Sequence, residues 1–121
     1  MTVFVVSDQR VLDYDTGEYV SKYDYSPAEE FGEIEYLLSP TANPFQNIEA
    51  LIAELHSKLQ SSTTDDYLIL SGNPALMAAA AAIMAGYNDG WINLLQWHGY
   101  ERKYRPITFQ YQNKINNIFL K

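Results

Sequence analysis

Residues 67–86, YLILSGNPALMAAAAAIMAG, lead from an apolar strand through the polar turn SGNP into a segment composed almost wholly of Ala, Leu, Ile and Met. The same plan occurs upstream in residues 36–55, YLLSPTANPFQNIEALIAEL. Each copy reads Tyr, apolar strand, Ser, turn, Asn-Pro, helix. Asn is a favoured N-cap because its side-chain oxygen accepts an orphan helix amide. Pro suits the first helical position, where no amide hydrogen is needed. Two successive strand–helix units predict right-handed crossovers and a parallel sheet core.

Outward from this pair, TVFVVS (2–7) predicts a first strand and EIEYLLS (33–39) a second, followed by a helix from Pro44 to about Leu59. DYLILS (66–71) predicts the third strand and Pro74 to about Ala85 the second helix. Trp91–Trp97 and Tyr104–Tyr111, joined by HGYERK, predict an antiparallel hairpin that closes the chain. Pro106 lacks an amide hydrogen, so the last strand should lie at a sheet edge or begin after it. Asp15-Thr16-Gly17 could turn a short hairpin between Val11–Tyr14 and Glu18–Tyr23, and an ordered loop is the alternative. The tail, with Ile115, Ile118 and Phe119, could dock on the domain or swap onto a neighbour. The expected fold is α/β: one domain over 1–121, a mixed sheet of about five strands, two main helices and a C-terminal antiparallel hairpin.

The 121 residues suit one domain with a core of its own, and the 47% hydrophobic fraction argues against disorder. The absence of cysteine excludes disulfides, thiolate metal sites and a cysteine nucleophile. No basic leader precedes the first strand, and the longest apolar run, Ala75–Ala85, is too short to span a bilayer. A soluble, cytoplasmic protein is expected. The net charge of −7 is concentrated in residues 1–66, whereas residues 67–121 set Asp89 and Glu101 against Arg102, Lys103, Arg105, Lys114 and Lys121. An acidic chain of this kind disfavours nucleic-acid backbones.

Ligands of open α/β sheets sit beyond the carboxyl ends of the parallel strands, where both Asn-Pro turns fall. Ser71, Gly72 and Asn73, with Asn43 in the other turn, are therefore candidate ligand-binding residues. SGNP matches neither GxGxxG nor the P-loop pattern. No basic residue lies between Lys58 and Arg102, which weakens the reading as an anion site in favour of a plain helix cap. His56 and His98 supply no metal set, no GxSxG is present, and no cofactor or metal is expected.

Helix 74–85 has no polar side chain, so it should be covered on all sides, by a second copy in a homodimer or by the first helix. Tyr14, Tyr19, Tyr23 and Tyr25, set among acids, are candidate contacts for a protein partner. DYLILSGNP, the alanine-rich helix and NLLQW…Y together resemble a group of small uncharacterised bacteriophage proteins with DYLLLSGNP-like and NLLKWD…Y-like stretches. The resemblance covers Asp66–Tyr111, with Gln96 and His98 in place of Lys and Asp. It implies a phage-type accessory origin in a host cytoplasm and no assigned reaction. The leading expectation is a non-enzymatic interaction factor, and the alternative is a small-ligand or nucleotide-binding domain using the SGNP turn.

Overall fold

A computed structural model describes residues 1–111, so the tail with Ile115, Ile118 and Phe119 lies outside the described residues. The chain forms β1 (Thr2–Ser7), β2 (Arg10–Leu12), β3 (Tyr19–Ser21), a 3-10 turn (Ser26–Phe31), β4 (Glu33–Leu38) and α1 (Pro44–Leu59). It continues through β5 (Tyr67–Ile69), α2 (Pro74–Tyr87), β6 (Trp91–His98) and β7 (Lys103–Gln110). The main sheet has the order β4-β1-β5-β6-β7, with β2 and β3 as a separate hairpin. β4, β1, β5 and β6 run parallel, and β7 returns antiparallel along β6. This is the expected α/β sheet, with Pro106 on the edge strand.

β1 is apolar without a break because both faces of the sheet are covered. Phe4 and Val6 point to one side, where Leu68 meets Leu55 and Leu59 of α1 and Leu76 of α2. Val3 and Val5 point to the other, where Ile69, Leu95 and Tyr104 pack with Tyr25 and Ala28. Both helices therefore lie on one face, and the long β1–β4 connection covers the opposite one. The sequence did not signal its 3-10 turn, whose two acids and Pro27 carry no helical apolar period.

The two Asn-Pro starts behave as read. Asn43 Oδ1 accepts from Phe45 N, and Asn73 Oδ1 accepts from Ala75 N and Leu76 N. α1 is broken at Asn47, whose backbone is non-helical. Of the two covers expected for α2, the structure shows the first helix: His56 Nδ1 and the Tyr87 hydroxyl lie 3.0 Å apart. Leu76, Ala80 and Met84 are buried, whereas Ala75, Ala78, Ala82 and Gly86 stay exposed. An outward alanine costs little, so a helix without polar side chains is tolerated beside solvent.

Among the described residues β5 is short and pairs with β6 at one position, Leu68 with Leu94. β6 continues to His98 in register with β7, from Trp91–Gln110 to His98–Lys103. The β6 backbone beyond Leu94 therefore has no ladder partner on its β5 side. This gap positions the site.

Candidate functional site

Counting only the strands of the main sheet in chain order, the arrangement is 2-1-3-4-5. Doubly wound sheets of this order place ligands where crossovers leave in opposite directions. Here that switch lies between β1 and β5, because β1 connects toward β4 over one face and β5 toward β6 over the other. The ends of β1 and β5 are nevertheless zipped together. Ser7 N donates to Ser71 O at 3.1 Å, and Gln9 Nε2 donates to Gly72 O at 3.3 Å. Gly72 adopts φ +106, and a Cβ there would overlap Ser7 Oγ.

The open space lies on the other side of β5. A cavity of about 750 Å³ runs from Ser71 and Gly72 to the projecting ends of β6 and β7. This volume falls within the roughly 300–1,000 Å³ of small-molecule sites. Its floor is Leu94–Trp97, and Tyr104 stands opposite Trp97, with their rings edge-on at 5.2 Å. The wall from the β1–β4 connection is Lys22–Tyr25, which also bounds a second hollow of about 610 Å³ beside Tyr36. Tyr25 and Ser71 share a hydrogen bond of 2.5 Å between their hydroxyls.

The charges were not visible in the linear spacing. Lys22 and Arg102 both line the cavity, brought there by the β3 end and the β6–β7 turn. The expectation that no cation accompanies Ser71 and Gly72 is therefore corrected. Among the described residues neither cation has an ion-pair partner; Lys22 Nζ sits 5.3 Å from the Tyr23 ring centre. Arg102 has φ +55 in a turn where glycine would sit without strain. Asp24 is the acid of the lining, and the amide and side chain of Ser26 hold its carboxyl below the usual range. It is ionised at neutral pH.

Of the other residues singled out from the sequence, Asn73 is occupied as a cap and Asn43 lies outside the cavity lining. Tyr14 and Tyr19 are exposed on the β2–β3 hairpin, and Tyr23 is half exposed at the cavity. Tyr25 is buried and belongs to the core, not to an outer contact surface. Beside the site, Asp8 is buried with Oδ2 accepting from Ser21 Oγ at 2.6 Å and Arg10 Nε at 3.3 Å. Its Oδ1 is buried without a partner among the described residues. Burial first, and then the Asp8 charge, push the Tyr36 phenol up; Tyr25 moves up for the same leading cause. Among the described residues no group of three His, Asp or Glu stands close enough to hold a metal ion.

Tyr104 yields a pH prediction. Burial, reinforced by Tyr25, Asp24 and Tyr36, pushes its phenol from the ordinary 10.0 up to about 12. The folded state binds this proton more tightly, so its contribution is intact below pH 10 and is lost as pH rises through 12. The urea midpoint should fall between those values. Tyr104→Phe should flatten the fall and leave the midpoint at pH 7 little changed; an equal fall in the variant would exclude Tyr104 as its source.

The family model described as Phage Pam3 gp32-like protein matches residues 1–111. The chain belongs to that family. The match covers both halves of the sheet and the whole cavity lining, so the phage-type resemblance read from residues 66–111 extends through the N-terminal half. No curated protein and no solved structure matches the chain. No described helix of this gp32-like protein is long and apolar enough to cross a membrane.

Proposed function

We propose that this phage-family protein is a small-ligand-binding domain whose site is the cleft between the end of β5 and the projecting ends of β6 and β7. The single observation that supports this is the cavity of about 750 Å³, with both an apolar floor and two cations that have no ion-pair partner among the described residues. Binding pockets combine apolar walls with a few convergent polar groups in this way. The SGNP turn enters through the Ser71 hydroxyl and the Gly72 backbone, while Asn73 holds the helix start.

Leu70 lines the cavity and is 43% exposed, so enlarging it fills the cleft without entering the core. Thermal-shift screening of the full chain against a library of metabolites should give hits that Leu70→Trp abolishes while keeping its own melting transition. Hits of equal size in both proteins would place binding elsewhere, and a library without hits would remove the reading.

A second reading, a protein-contact role as an accessory factor, is favoured by the β2–β3 hairpin. Tyr14 and Tyr19 are 90% and 68% exposed there. Aromatic side chains in that state suit a partner surface. Self-association through the exposed alanines of α2 belongs to this reading, and light scattering of the purified chain measures it.

A further inference from the structure

The geometry points to a nucleoside monophosphate as the ligand of the cleft. This rests on the cleft being a ligand site and adds the chemistry of what it takes. A base needs flat surfaces. Trp97 and Tyr23 line the cavity while 45% and 48% exposed, so each retains a free ring area on which a base can stack. A base edge also needs paired donors and acceptors. Among the described residues β6 pairs with no residue of β5 beyond Leu94, so the main-chain groups of Trp97 that do not bond β7 face the gap. Gln96 and Gln9 add side-chain amides to the same lining.

The anion is specified by charge. Lys22 and Arg102 contribute two positive charges and Asp24 one negative, a local excess that suits one phosphate and opposes a polyphosphate. Arg102 offers a planar fork for phosphate oxygens. The Asp24 carboxylate suits sugar hydroxyls, which it can accept from. The amides at the start of α2 are not the phosphate donors, because Asn73 already takes those of Ala75 and Leu76. The site is thus displaced from the helix end toward the two strand hairpins.

Arg102 supplies the test, because its left-handed backbone favours glycine. Arg102→Gly should fold with an unchanged or higher melting temperature. Isothermal titration of the full chain with AMP, GMP, CMP and UMP should show binding of at least one. Arg102→Gly should weaken that nucleotide by about tenfold, the scale of a charged hydrogen bond, and leave the matching nucleoside nearly unaffected. Trp97→Leu should weaken nucleotide and nucleoside alike. The ligand class is overturned if no monophosphate binds while another compound does so in a manner that Leu70→Trp blocks; the cleft itself then stands. It is equally overturned if the nucleotide binds Arg102→Gly as well as the parent, or if inorganic phosphate alone matches the nucleotide. If nothing binds and Leu70→Trp changes nothing, both readings fall.

Discussion

Gly72→Ala should lower stability by about 3 kcal/mol and the melting temperature by roughly 10 °C or more. Two separate costs combine. The backbone at Gly72 has φ +106, a region that side chains rarely adopt. In addition, a methyl group at this point would occupy the position of Ser7 Oγ, on a backbone that the Ser7 N–Ser71 O hydrogen bond ties to the end of β5. The second cost can be isolated. Ser7→Ala removes the hydroxyl, and the remaining Ser7 Cβ is 3.3 Å from the built methyl position. The double variant should therefore regain part of the loss, a coupling that adjacent residues show and distant ones do not. Thermal denaturation of the four proteins measures it. Strict additivity would mean that backbone strain alone makes Gly72 necessary.

Leu68→Ala should cost about 3–4 kcal/mol, whereas Leu70→Ala, two residues on, should cost less than about 1 kcal/mol. Leu68 is fully buried in the central strand, between Phe4 of β1 and Leu94 of β6. It packs in the cluster that also contains Leu55, Leu59 and Leu76, so truncation leaves a cavity that three elements would have to close. Leu70 follows the end of β5 and lines the cleft at 43% exposure, so little packing is lost there. Urea denaturation of both variants provides the comparison. Similar losses would show that the cleft wall contributes as much as the core.

The same pair of leucines shows what was legible in the sequence. In YLILS both look alike, because apolar pattern reports the tendency to be buried and says nothing of where a neighbouring strand ends. The helix starts were legible because Asn capping and the Pro backbone act within a few residues. Strand directions followed from the repeated strand–helix plan, since short right-handed crossovers leave few topologies. The 3-10 turn was not legible, as Ser26–Phe31 is held by burial of Ala28 against the sheet. For the site, Ser71 and Gly72 could be named from their turn, but the conclusion that no cation accompanied them came from counting along the chain. Lys22 and Arg102 reach the cavity through two hairpins distant in sequence, and only the folded sheet places them there.

The single β5–β6 pairing also bears on how the molecule opens. In the five-stranded sheet, β4-β1-β5 and β6-β7 are joined by the Leu68–Leu94 pairing, by Asn93 Nδ2 donating to Thr64 O and Asp66 O, and by side-chain packing. Each ladder can loosen without unzipping the other, so backbone amides should exchange with solvent deuterium in two cooperative groups. The cleft lies along the seam between them. A bound molecule touching both sides would tie the groups together, and slowed exchange along Leu95–His98 would report occupancy without any measure of activity.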